Sequence, residues 1–206
     1  MKNYIFPLLF LIGFVYFSYA QTVTIGSQIW MTKNLDVSTF RNGDPIPEAK
    51  SDQEWLKAGE NKQPAWCYYE NNPANGAKYG KLYNWFAVND PRGLAPVGYH
   101  IPSDKEWTIL SSCLGGENAA GNKMKSTNGW AENGNANNSS GFSGLPGGHR
   151  SISGKFFDDG KGGYWWSSTE DGTGGVWLCV FYYNSGDAIR DGGLKKGGIS
   201  VRCVKD

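Results

Sequence analysis

Two histidines in 206 residues, no Cys-x-x-C and no His-Glu-x-x-His leave little with which to build a zinc site or a redox dithiol. Gly141-Phe142-Ser143-Gly144 stops short of the Gly-x-Ser-x-Gly elbow, so the serine-nucleophile signature is missing too. Net charge is just as scarce. Lys2 is the only charged side chain in residues 1–20, and beyond it bases and acids balance at 19 each, with no basic stripe. Nucleic acid is therefore not an expected partner. After residue 20 no apolar run approaches the ~20 residues a spanning helix needs.

Residues 1–20 differ from the rest. Met1-Lys2-Asn3 precedes an apolar run from Tyr4 to Phe17, broken only by Pro7 and Gly13, and Ser18-Tyr19-Ala20 offers small residues at the two positions a signal peptidase reads. The run is too short for a comfortable membrane helix, and no lipobox cysteine follows. The expectation is a signal peptide over 1–20 and a mature chain, 21–206, that is extracytoplasmic: secreted, periplasmic or at the cell surface. An uncleaved anchor is the rival reading.

What is abundant lies in that mature chain. All nine Trp and 28 of the 29 Gly fall there, a glycine share about twice the ordinary ~7%. Nine Trp carry enough apolar area to offset the ordering entropy of so many loops, which argues for a folded domain over disorder. Thr22–Ile25 and Ile29–Met31 alternate around Gly26-Ser27 as a small hairpin. Ser51 with Glu54, and Ser103 with Glu106, have capping-box spacing ahead of short helices. In the second of these, Trp107, Leu110 and Leu114 share a face and Gly115-Gly116 ends the run. Further helices are predicted over 82–87 and 117–125, and a strand at 64–69. From 126 on, helical periodicity is gone and strands are expected at 164–168, 176–183, 188–190 and 199–204. Helices early and an antiparallel sheet late make one α+β domain.

Five segments together resemble the Fibrobacter succinogenes major paralogous domain. They are Tyr79–Trp85, Gly98–Trp107, Gly141-Phe142 running into Leu145–Gly148, Gly163–Glu170, and Ser200–Asp206. The resemblance covers nearly all of 21–206. It implies an exported protein of Bacteroidetes type and a C-type-lectin-like fold related to the sulfatase-modifying enzymes, with short helices, a twisted antiparallel sheet and long Gly/Asn-rich loops able to carry a ligand. It implies no particular activity. The reactive cysteine pair of the sulfatase-modifying enzymes has no counterpart, since Cys179 and Cys203 each stand alone, and Ala95 occupies a place where members often carry Cys. Four cysteines in an exported chain are compatible with two disulfides in any of three pairings. Beside the resemblance, Cys67–Cys203 with Cys113–Cys179 is the first expectation and Cys113–Cys203 its rival.

The candidate ligand-binding residues are Trp165, Trp166, His149 and Arg150. Adjacent residues of a strand face opposite ways, so at most one Trp of the pair enters a given core. An exposed partner beside Asn, Asp and Arg would suit the apolar face of a sugar. The competing reading buries both. Asp158, Asp159, Glu170 and Asp171 are weak candidates for calcium, a hard cation that takes carboxylate oxygens, although their spacing is no EF-hand loop and solvated turns explain them as well. No other cofactor and no catalytic residue is expected, and His100 reads as a packing residue. Asn137-Asn138-Ser139-Ser140 holds two overlapping glycosylation sequons, a sign of an exposed polar loop. The functional expectation is a non-enzymatic binding module for a glycan or polysaccharide. The alternatives are an enzyme acting on polymeric or cell-surface substrate, and a structural surface protein.

Overall fold

The computed structural model describes residues 21–206, so the leader read at 1–20 lies outside the described residues. The chain starts with the expected hairpin, β1 (Thr22–Ile25) and β2 (Gln28–Met31), turning through Gly26. A loop leads to α1 (Asp52–Glu60), whose N-terminus carries the reciprocal Ser51–Glu54 capping box. After β3 (Trp66–Cys67) comes a helix where the sequence read as loop: α2 (Pro73–Tyr79), capped by Asn72 with Pro73 in its first turn. Both residues suit a helix start. The helix expected over 82–87 divides into β4 (Leu82–Tyr83) and α3 (Trp85–Val88), with the Asn84 side chain capping between them. Next are β5 (Tyr99–His100), then α4 (Asp104–Cys113) with the Ser103–Glu106 capping box, and α5 (Glu117–Met124).

The second half is strand and loop. The hairpin β6 (Gly147–Arg150) and β7 (Phe156–Asp159) falls partly in a glycine-rich stretch that reads as loop. Then follow β8 (Gly162–Glu170), β9 (Val176–Tyr182), β10 (Ile189–Gly193), β11 (Ile199–Ser200) and β12 (Val204–Lys205). The expected strand over 199–204 is thus two strands in two sheets. β11 belongs to the six-stranded sheet β10-β9-β8-β11-β4-β3, and β12 to the four-stranded sheet β1-β2-β12-β5. The larger sheet is mixed, not wholly antiparallel, because β11 enters beside β8 in parallel with Ser200 opposite Trp165.

The larger sheet separates two cores. Val176, Leu178 and Val180 of β9 face one core with Tyr164, Trp166, Ile199, Val201 and Cys203, while Cys179 and Phe181 face the other with Trp30, Trp107, Leu110, Phe142 and Trp165. The strand period of two deals successive side chains to opposite layers. A third cluster holds Trp55, Ala65, Cys67, Tyr69 and Leu82 under α1. Eight of the nine Trp are buried, with Trp177 only partly so.

These layers account for the cysteines. All four are free, which corrects the expected disulfides. Cys67 lies in the α1 cluster, Cys203 in one core and Cys179 in the other, and Cys113 is exposed at the end of α4. Burial pushes the thiols of Cys67 and Cys203 up to about 12 and raises that of Cys179 as well. They pack as small apolar side chains.

Candidate functional site

Where the chain crosses from β11 to β12, Val201 and Cys203 turn into one core and Arg202 turns the opposite way. The backbone of this crossing is held by Leu35 N–H to Val201 O (2.8 Å) and Met31 N–H to Cys203 O (3.0 Å). The loop after β2 is thereby laid along it, bringing Asn34 to Arg202. The Arg202 guanidinium donates to Phe142 O at 2.6 Å, Met31 O at 3.2 Å, and the Asn34 side-chain oxygen at 3.1 Å from Nε and 2.7 Å from Nη2. It lies 4.4 Å from the centre of the Phe142 ring. Trp165 Nε1 donates to the same Asn34 oxygen at 2.9 Å, and Asn34 Nδ2 donates to Tyr79 O at 2.8 Å. Asn34 therefore ties the crossing, the sheet and the end of α2 together.

Above Arg202 opens a cleft of about 500 Å³. One wall is the loop Thr32–Asn34 with Asp36, the second is α2 at Gly76–Lys78 with Gly80, and the third is the polar loop carrying Ser126, Thr127, Asn128, Asn138 and Ser143. Gly80 lets the first two walls meet. Its φ is +73°, and a Cβ there would come within 2.8 Å of Leu35 O. Asn138 and Ser143 brace the third wall by exchanging hydrogen bonds at 2.9 and 2.8 Å. Most of the lining side chains are amide, hydroxyl or cation, with Ala77 and Leu145 as apolar members. The one carboxylate of the lining, Asp36, is paired with Lys81 at 2.6 Å. Burial lowers the Arg202 pKa to about 9, leaving it charged at neutral pH.

The residues singled out from the sequence lie elsewhere. Trp165 and Trp166 are both fully buried, one in each core, so neither offers a ring to a sugar. Arg150 is also fully buried. Its guanidinium donates to Gly154 O and Ala49 O, both at 2.9 Å, and lies 3.5 Å from Asp52 between the rings of Trp55 and Phe156. It clamps β6 to α1, with Asp52 as its counter-charge. His149 alone keeps some exposure. It stacks on Phe157, meets Tyr164 edge-on, and its Nδ1 is 3.5 Å from Asp158 with no hydrogen-bond partner among the described residues. Burial lowers its pKa, with Asp158 working the other way. His149, Arg150 and Trp166 do converge on a second, more apolar pocket of about 300 Å³, rimmed by Ile152 and Leu194.

The calcium candidates do not gather. Asp158 accepts from Tyr164 O–H at 2.6 Å, Asp159 accepts from Tyr79 O–H at 2.9 Å, and Glu170 pairs with Lys195 at 2.8 Å. Asp171 closes its own turn, accepting from Thr173 N–H and Gly175 N–H. Among the described residues no three His, Cys, Asp or Glu side chains come together as a metal site. Each carboxylate is consumed locally.

His100 is not a packing residue but a bridge. Its Nε2 meets Glu106 at 2.7 Å and its Nδ1 meets Asp206 at 2.8 Å, joining the α4 capping box to the strand end. The partly exposed Trp177 stacks under Arg190, 3.2 Å from the ring centre, and Arg190 is held by both oxygens of Asp104. Sequence reading passed over Asn34, Lys33, Lys78 and Arg202. The available signal is Arg202 itself, a charge set between the apolar Val201 and Cys203 on the opposite face of the expected terminal strand.

The family model described as the Fibrobacter succinogenes major domain matches residues 23–205. No curated protein and no solved structure matches the chain.

Proposed function

We propose, from the premise that the chain belongs to the Fibrobacter succinogenes major domain family, that it is an extracytoplasmic, non-enzymatic binding module of lectin-like fold whose ligand is a glycan or polysaccharide. The observation that carries this reading is the 500 Å³ cleft walled by asparagine, serine, threonine and lysine side chains. Polyhydroxylated ligands present alternating donors and acceptors, and a concave site with several convergent polar groups is matched to them. The cleft stands on loops over a two-core scaffold, the usual placement for a variable binding surface. The lectin-like character is supported by short helices packed on a loop-rich sheet, and the extracytoplasmic location by the leader composition of residues 1–20. Binding is favoured over glycoside hydrolysis because that chemistry takes a pair of carboxyl groups across the scissile bond, and Asp36 is the single carboxylate of the cleft.

The test is titration of the exported protein against a panel of polysaccharides, with calcium and then with chelator. We expect saturable binding that is unaffected by chelation and weakened by Asn128→Ala or Thr127→Ala, both exposed on the third wall. Absence of binding to every polymer contradicts the reading. Release of reducing ends during the titration would replace it with the enzymatic alternative.

A further inference from the structure

The charge of the cleft is lopsided. Lys33 and Lys78 stand exposed on two walls and Arg202 lies at the base, and none of the three has a carboxylate within 4 Å among the described residues. The carboxylate that does line the cleft, Asp36, is already engaged by Lys81. A chain whose acids and bases balance overall thus concentrates unpaired cations at one place.

Arg202 is the most telling of them. Removing a guanidinium from water without a counter-charge is costly, and proteins ordinarily supply an acid. The other fully buried arginine, Arg150, has Asp52 beside it. Arg202 is held by neutral oxygens only, and these take four of its five N–H donors, leaving one on Nη2. Buried Lys125 is likewise satisfied by carbonyls, of Tyr182 and Ser185, but it lines no part of the cleft.

We propose that the cleft selects acidic glycans, with the exposed Lys33 and Lys78 at its walls receiving the oxyanion of a uronate or a sulfated sugar over the buried, uncompensated charge of Arg202 at its base. This rests on the glycan-binding reading above and adds the ligand's charge. The two oxyanions share the chemistry that ammonium groups flanking a fixed cationic base recognise. The neutral amides and hydroxyls of the third wall then read the hydroxyl groups of the same residue.

The experiment compares matched pairs by calorimetric titration: polygalacturonate against its methyl ester, and dextran sulfate against dextran. We expect an acidic member to bind at least about tenfold more tightly than its neutral partner, and Lys33→Ala/Lys78→Ala to remove most of that preference while leaving the fold intact by circular dichroism. Raising ionic strength from ~50 to ~500 mM should weaken the acidic member far more than the neutral one. Preference in one pair alone supports the proposal and identifies the oxyanion. Equal binding of acidic and neutral members overturns it while leaving glycan binding standing. An acidic preference untouched by the double substitution also overturns it, because the anion then binds elsewhere. No binding by any of the four polymers removes both.

Discussion

His100 shows how much a single side chain can be misread from its neighbours in sequence. Next to Ile101 and Pro102 it looks like packing, yet its two ring nitrogens meet carboxylates of Glu106 and Asp206. Burial opposes its charge, but those two partners outweigh it and raise the pKa above the ordinary 6.5; for Glu106, burial is outweighed by bonds from Ser103 and His100, which lower its pKa below 4.5. The stability from charged His100 is complete below 6.5 and is lost as pH rises through the raised value. That from Glu106 is complete above 4.5 and is lost as pH falls through the lowered value. The bridge is therefore worth most between those limits. Because both groups are partly solvated, the gain is at most about 1 kcal/mol. In urea denaturation we expect wild type to exceed His100→Gln in stability near pH ~5.5 and the difference to shrink by pH ~8.5; a pH-independent difference contradicts the assignment. The tryptophan pair was half legible. Opposite orientations of Trp165 and Trp166 follow from strand geometry alone, whereas burial on both sides depends on a second core whose members are scattered from Ile25 to Val204.

At the scale of the element, legibility tracks how local the determining contacts are. Both capping boxes lie within four residues, and both helices start where Ser51 and Ser103 say they should. α2 escaped because Gly76 and the surrounding Asn, Pro and Gly resemble loop composition, although Asn72-Pro73 is a helix start in its own right. Gly76 is needed there since a Cβ would fall 2.2 Å from the Tyr68 ring. The hairpin β6–β7 was invisible because Gly147-Gly148 carries no periodicity, and its contacts to Tyr79 and Tyr69 come from distant chain. Gly80, at the end of α2, is where element geometry and the cleft meet. Gly80→Ala should cost about 1–3 kcal/mol, through its positive φ and the close Leu35 carbonyl. It should also loosen ligand binding by moving the α2 wall. Unchanged stability in thermal denaturation would contradict the packing described for that junction.

Over the whole molecule, the α+β class and the order of most elements are legible in the sequence, while the partition into three sheets and three clusters is not. The segment 199–204 alternates correctly along its length, but alternation says nothing about a strand that changes sheets at Val201. The same partition decides the cysteines, since even numbers in an exported chain invite pairing and only the layers reveal three separate burials. We expect four thiols to react with Ellman's reagent in denaturant without reductant, and Cys113 alone in the native protein. Two or fewer thiols in denaturant would contradict the free-cysteine arrangement. The cleft was the least legible feature of all. Lys33 and Asn34, Lys78, Asn128, Asn138 and Arg202 come from five separate places in the chain, and the aromatic residues that advertise a sugar site in sequence went into the cores instead. The most direct measurement of the central claim is an amide chemical-shift map of the labelled protein titrated with a short galacturonate oligomer. The result we expect is perturbation confined to residues 32–36, 76–80, 126–128, 138–143 and Arg202; perturbation centred on the His149 pocket or on Trp177, with the cleft silent, would contradict it.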